Sequence, residues 1–120
     1  MQPSRPLLIA AGLLGASGVA LSAAAAHKGI ANVATAASFL LMHAPAFLAL
    51  SLLNGNRLRS LGSWALLLGL VIFSGDLLAR AYLGTRLFPM AAPSGGVLMI
   101  AGWLVIAASA LVRDKAEVSD

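Results

Sequence analysis

The sequence contains no cysteine and little charge. Without cysteine the chain can form no disulfide, no thiolate metal site and no thiol nucleophile. Charged residues make up 10% of the chain, whereas soluble domains carry about 25%. The low charge therefore excludes an ordinary soluble domain.

Acidic side chains are especially scarce, and Asp76 is the only one outside the C-terminal tail, residues 113–120. Basic residues are more numerous and give a formal net charge of +4, but they are scattered along the chain. Nucleic-acid binding needs a basic patch on an exposed face, so that function is not expected. Scattered basic residues at helix ends instead suit contact with anionic lipid headgroups.

What the sequence does contain is apolar residues, at 60% of the chain with a mean hydropathy of +0.93. A membrane span needs about 20 such residues, and four runs of suitable length use most of the chain. The sequence predicts an all-α integral membrane protein, a single membrane domain of residues 1–120 with four transmembrane helices in an up-down bundle and short loops. The predicted helices are 7–26, 32–53, 61–83 and 94–112, followed by the charged tail 113–120.

The first run also has the basic start and small-residue end of a cleavable signal peptide. Its apolar character continues to Ala26, which is long enough to span, so a retained helix is the preferred interpretation. With four spans, both termini and the loop after Leu53 share one side of the membrane. The basic residues on that side are Arg5, Arg57, Arg59, Arg113 and Lys115. The opposite side has Lys28 and Arg86, and also Arg80 if its side chain reaches the surface, so both termini are predicted to be cytoplasmic.

Small residues within the predicted helices indicate close helix packing, because they let neighbouring backbones approach. The positions expected to pack in this way are Gly12, Gly15, Ser74, Gly75, Gly95, Gly96 and Gly102.

Several short motifs in the second half resemble the domain of unknown function 423 family. The motifs are Phe73-Ser74-Gly75, Gly84-Thr85-Arg86, Pro93-Ser94-Gly95-Gly96 and Ala101-Gly102-Trp103. The resemblance implies a small four-helix protein of the bacterial inner membrane, and it implies no established reaction. Asp76 and Pro45 depart from the family pattern, so an activity shared by the family is not expected to rest on Asp76.

Asp76 and Arg80 are four residues apart, which places them on one face of a helix with the acid on the N-terminal side. One interpretation is a charge-neutral pair that fixes the third helix against its neighbours. The other is a proton- or cation-binding carboxylate that lines a cavity, because charged groups in membrane spans are often functional. The candidate polar residues are His27, His43, Asp76, Arg80 and Arg86.

His43 falls within the second helix and is expected to be neutral and hydrogen-bonded across helices. A proton relay from His43 to Asp76 would require the two side chains to face each other. His27 lies at the outer boundary, about 16 Å from the depth of His43 at helical rise, so haem or a metal site is not expected. Ser74 and Asp76 are two apart on a helix and point to different faces, so a Ser74–His43–Asp76 hydrolase site is not expected.

These patterns predict no catalytic, cofactor-binding or metal-binding residues. The favoured function is a non-enzymatic structural, accessory or lipid-interacting component of the bacterial inner membrane. Its expected partners are membrane lipids, and either itself or a larger membrane complex. The alternative is a small proton- or cation-coupled transporter that uses Asp76. A membrane enzyme acting on lipid is a third hypothesis that no sequence feature favours.

Overall fold

A computed structural model describes residues 3–28, 30–53 and 55–114 of the chain. This part of the chain is helical: α1 is Arg5–Lys28, α2 is Ala31–Leu52, α3 is Arg57–Leu83 and α4 is Ala91–Ala108. A single 3-10 turn, Ser109–Leu111, follows α4. In the described ranges, these four helices are long and apolar enough to cross a membrane.

Helix α3 begins at Arg57, ahead of the predicted start at residue 61. The reason is Asn56, whose side-chain oxygen accepts a hydrogen bond from the Arg59 N–H at 3.0 Å. An asparagine in this position satisfies one of the free amides of the first helical turn. The other end of α3 agrees with the prediction, because Gly84 takes the left-handed conformation at φ 70° and ends the helix.

Helix α4 begins at Ala91, whereas residues up to Pro93 were predicted to be loop. Pro93 lies inside the first turn, where a backbone N–H has no partner within the helix, so its ring is tolerated. Met90 precedes the helix with φ 66°, a left-handed conformation that is uncommon for a residue with a side chain. Of the predicted tail 113–120, Arg113 and Asp114 are described, and residues 115–120 lie outside the described part of the chain.

The helices pack in chain order, α1 on α2, α2 on α3 and α3 on α4. In their most apolar stretches, α2 and α3 are 39% and 44% buried, whereas α1 and α4 are each 22% buried. A larger share of residues is therefore buried in α2 and α3 than in α1 and α4, and all four helices contribute to the core. That core consists of Leu7, Ala11, Leu14, Leu40, Phe47, Leu50, Leu66, Leu70 and Met99.

Glycines bring α3 and α4 into backbone contact. A β-carbon at Gly69 would lie 2.7 Å from the carbonyl oxygen of Gly95, and one at Gly95 would lie 2.7 Å from the Phe73 nitrogen. Farther along the pair, a β-carbon at Gly102 would lie 2.7 Å from the Leu66 nitrogen and 3.0 Å from the Gly62 oxygen. No larger residue fits at these positions unless the backbones separate.

Candidate functional site

Asp76 lies near the end of α3 and is fully buried, with 0% of its surface exposed. The Leu87 N–H donates to its Oδ1 at 2.9 Å, and the Ala92 N–H donates to its Oδ2 at 3.1 Å. Arg80 Nη2 lies 2.9 Å from the same Oδ2. These residues form the Asp76 cluster, in which one carboxylate binds two backbone amides and a guanidinium.

The Asp76 cluster joins α3 to the beginning of α4. Ala92 lies in the first turn of α4, whose amides have no acceptors within their own helix. That end of a helix also carries partial positive charge, which favours a carboxylate. The arrangement provides acceptors for donors that could not otherwise be paired in hydrocarbon.

A groove of about 890 Å³ runs along the side of the protein between α2 and α4, with α3 behind it. We call it the lateral groove. Arg80 and Arg86 line the end near the Asp76 cluster, and the wall on α4 includes Gly96, Val97 and Ile100. Val97 is 67% exposed and Ile100 is 62% exposed, so the groove is open to whatever surrounds the helices. Asp76 itself does not line it.

Aromatic rings line the lateral groove from the level of Phe73 to Trp103 at its deep end. Phe39 of α2 and Phe73 of α3 have ring centroids 4.7 Å apart, and the rings of His43 and Trp103 are 5.8 Å apart. The contact between α2 and α3 therefore forms the base of the groove, and α2 and α4 form its two sides. The surface of the groove is mostly apolar, which is typical of ligand sites.

His43 is hydrogen-bonded through both ring nitrogens. Nδ1 lies 2.8 Å from the Phe39 carbonyl oxygen and must donate to it, since a carbonyl can only accept. Trp103 Nε1 donates to His43 Nε2 at 3.2 Å, so Nε2 carries no proton. This is the neutral tautomer, bonded across helices as the sequence predicted, and neither nitrogen is free to pass a proton to Asp76.

A second polar cluster joins the other ends of α3 and α4. Asn56 is buried, and its Nδ2 donates to the carbonyl oxygens of Ser109 and Val112 and to Asp114 Oδ1, at 3.0, 3.1 and 2.9 Å. Arg59 Nη1 pairs with Asp114 Oδ2 at 3.2 Å. The Asn56 and Arg59 side chains lower the pKa of Asp114, because both stabilise its ionised form. We call these residues the Asn56 cluster.

The remaining predicted positions are distributed over the molecule. His27 is exposed at the end of α1, and within the described ranges no three His, Asp or Glu side chains gather to hold a metal ion. Ser74 is buried, and its hydroxyl has no hydrogen-bond partner in the described residues. It is therefore not bonded to His43 or Asp76.

The small residues predicted to pack differ in their surroundings. Gly95 and Gly102 contact the α3 backbone, a β-carbon at Gly15 would lie 3.7 Å from Ala44, and one at Gly75 would lie 3.2 Å from Leu87. A β-carbon at Gly12 or Gly96 would meet nothing within 4 Å. A packing role for Gly12 and Gly96 stays a prediction.

Sequence reasoning missed the packing role of Gly62 and Gly69 and the two polar clusters. Gly62 and Gly69 are seven residues apart, and so are Gly95 and Gly102. This shared spacing returns to the same face of paired helices, and it could have predicted the contact. The backbone partners of Asp76 gave no such signal, because any residue type supplies an amide.

Four apolar helices, an exposed apolar surface and polar groups paired at the helix ends define a small multi-span membrane protein. The chain belongs to the family described as "Protein of unknown function (DUF423)", whose profile matches residues 9–96. The membership predicted from the motifs is confirmed.

Relatives with curated names are also membrane proteins. The chain is 33% identical to a "UPF0382 membrane protein" of Haemophilus influenzae, over 74% of this chain and 80% of that one. It is 32% identical to the "UPF0382 inner membrane protein YgdD" of Escherichia coli K12, over 97% of each chain. No solved structure matches the chain.

Proposed function

We propose that this protein is a non-enzymatic component of the bacterial inner membrane that binds membrane lipid in the lateral groove. The observation that carries the proposal is the groove itself, a concave apolar surface that opens to the side of the helices. Concave apolar surfaces with a few polar groups at one end are typical of binding sites. In a bilayer, acyl chains are the molecules that meet this surface.

We also propose the up-down arrangement with both termini in the cytoplasm. Three contacts support it: Ser4 N–H donates to the Ser51 oxygen, Asn56 contacts Ser109, and Asp76 contacts Ala92. Each contact joins the start of one helix to the end of its neighbour. Arg5, Arg57, Arg59 and Arg113 then lie at one end, which the excess of basic residues favours as the cytoplasmic one. The name of the E. coli relative supports the inner membrane.

The polar groups support a non-enzymatic role. Asp76 is fully buried and bonded to three groups, and both nitrogens of His43 are occupied. These arrangements satisfy side chains that would be costly alone in a membrane, and they leave neither residue open to a substrate. The same burial gives no support to the transporter alternative, which needs a carboxylate that cargo can reach. Association with itself or with a larger complex stays a prediction.

The test uses a matched pair of glycine substitutions. Gly96 lines the lateral groove and Gly12 does not, yet a β-carbon at either position would meet nothing within 4 Å. Both positions accommodate a β-carbon, so Gly96→Phe is designed to fill the groove and Gly12→Phe adds the same side chain elsewhere. Native mass spectrometry of the purified proteins should show that Gly96→Phe loses most of its bound lipid, while Gly12→Phe binds lipid as the wild type does. Equal lipid binding by both variants would refute the proposal.

A further inference from the structure

We propose that the lateral groove selects an anionic glycerophospholipid, with its phosphate at Arg86 and Arg80 and one acyl chain lying along α4 as far as Trp103. The inference rests on the proposed lipid-binding function and specifies the lipid class. It follows from the charge at one end of the groove, the length of its wall and the state of the polar groups at its deep end.

The net charge at the end of the groove lined by Arg80 and Arg86 matches a lipid headgroup with one negative charge. Arg80 and Asp76 neutralise each other at 2.9 Å, whereas Arg86 is exposed and has no carboxylate among the residues that line the groove. One positive charge therefore remains. A phosphatidylglycerol headgroup carries one negative charge and complements it, but phosphatidylethanolamine also carries an ammonium group that Arg86 would repel.

Arg80 can take part without giving up Asp76. Its Nη2 is bound to Asp76 and its Nε is a buried atom, but the side chain as a whole is 31% exposed and lines the groove. A guanidinium presents five N–H donors in a planar fork that suits phosphate oxygens. The exposed part of the Arg80 side chain therefore lies at the same end of the groove as Arg86 and can contact a phosphate there.

The length of the groove matches the hydrocarbon thickness of one leaflet of the bilayer. Its wall on α4 extends from Ala92 to Trp103, a separation of eleven residues (103 − 92). At a rise of 1.5 Å per residue this is about 16 Å, and half of a hydrocarbon core of about 30 Å is about 15 Å. An acyl chain whose headgroup lies at Arg86 would thus end beside Trp103 near the bilayer centre.

The polar atoms at the deep end of the groove are already hydrogen-bonded and need no partner from a ligand. His43 and Trp103 line it, but they are hydrogen-bonded to each other, and His43 is also bonded to Phe39. Their remaining surface is the faces of the rings, which pack against hydrocarbon. A ligand that is anionic at one end and purely apolar at the other fits this arrangement.

The experiment uses Trp103 as the reporter. The chain has two tryptophans, and Trp64 does not line the groove, so Trp64→Phe leaves a single fluorophore at its deep end. The protein is reconstituted in mixed vesicles of phosphatidylethanolamine and phosphatidylglycerol, with brominated acyl chains on one lipid at a time. Bromine quenches the indole on contact, so the two series give the relative affinity of each lipid for the site.

We expect brominated phosphatidylglycerol to compete for the site about fivefold better than brominated phosphatidylethanolamine, because one basic residue near an anionic lipid gives a preference of this size. Arg86→Gln should abolish the preference, and Arg86→Lys should retain it. Arg57→Gln is the matched control, because Arg57 is exposed at the other end of α3 and should leave the preference unchanged.

The outcomes separate the two proposals. Equal quenching by both lipids, in a protein whose bound lipid Gly96→Phe displaces, would overturn the headgroup assignment and leave the proposed function standing. A Trp103 that neither brominated lipid quenches, because a second copy of the chain covers the groove, would overturn both.

Discussion

The two ends of the α3–α4 pair carry similar chemistry in different surroundings. At each end a carboxylate bridges the helices with the help of an arginine, Asp76 with Arg80 and Asp114 with Arg59. Asp76 is fully buried, whereas the side chain of Asp114 is 27% exposed. The partners also differ, since Asp76 binds two backbone amides and Asp114 binds the Asn56 side chain.

From this difference we infer that burial, more than the presence of an ion pair, sets how much each end contributes to stability. Exposed pairs contribute little because solvent screens them, but removing one partner of a buried pair leaves the other uncompensated. We therefore expect the Asp76 cluster to be essential to the helix pair and the Asn56 cluster to be auxiliary.

The largest expected effect is that of Asp76→Ala. It leaves the Leu87 and Ala92 amides and Arg80 without their acceptor, which should lower the free energy of unfolding by about 3 kcal/mol. Asp76→Asn keeps one acceptor oxygen and should lose less. Unfolding in mixed micelles with increasing denaturing detergent measures both. If Asp76→Ala proves as stable as the wild type, the contrast between the ends is wrong.

Alanine at Gly69 or Gly102 should have the next largest effect. Each added methyl would lie 2.7 Å from a backbone atom of the other helix, and overpacking of this kind costs about 2 kcal/mol. Similar losses of stability at the two positions would show that α3 and α4 are packed equally tightly along their length. The two ends of the helix pair would then differ in stability only through the Asp76 and Asn56 clusters. Gly12→Ala is the control, and the same unfolding measurement should show no loss.

Asn56→Ala should destabilise the protein by about 1 kcal/mol. The substitution removes the N-cap of α3, and a destabilisation of this size is typical for the loss of an asparagine N-cap. It also removes the donor to Ser109 and Val112 at the end of α4. The same unfolding assay should place this variant between Asp76→Ala and the wild type. A loss as large as that of Asp76→Ala would mean that the two ends are equivalent.

The smallest effect is a pH dependence from Asp114. Its pKa is lower in the folded protein than in the unfolded chain, so its contribution is present above the unfolded pKa and disappears as the pH falls through the folded pKa. Stability should therefore decline below a pH of about 4. Thermal unfolding at pH 6 and pH 3 should show a smaller decline for Asp114→Asn. An equal decline in both proteins would assign the pH dependence to other groups.

The helices were predictable from the sequence because their signals are local. Apolar runs of membrane length predicted four spans, and Gly84 marked the end of α3. The starts of α3 and α4 were predicted too late, because Asn56 acts through a side-chain cap and Asp76 supplies an acceptor to α4 from sixteen residues away. Neither interaction appears in hydropathy or in small-residue spacing.

The candidate site was predictable only in part. The spacing of Asp76 and Arg80 placed them on one helical face and left their pairing as one of two interpretations. The position of His43 predicted a bond across helices. Trp103 was noted only as part of a family motif, yet it is the donor to His43. The lateral groove depends on how far apart α2 and α4 lie on either side of α3, and a tertiary distance of this kind has no signature in one sequence.

The partners of Asp76 all lie close to it in the sequence, and this has a consequence for biosynthesis. In the part of the chain that the structure describes, every group bound to Asp76 lies between Asp76 and Ala92, and none of them belongs to α1 or α2. An unpaired carboxylate opposes the entry of α3 into the membrane, but its neutralising groups follow directly during synthesis. We therefore expect the two C-terminal helices to insert together as one unit, with α3 completing its insertion only after the start of α4 has emerged.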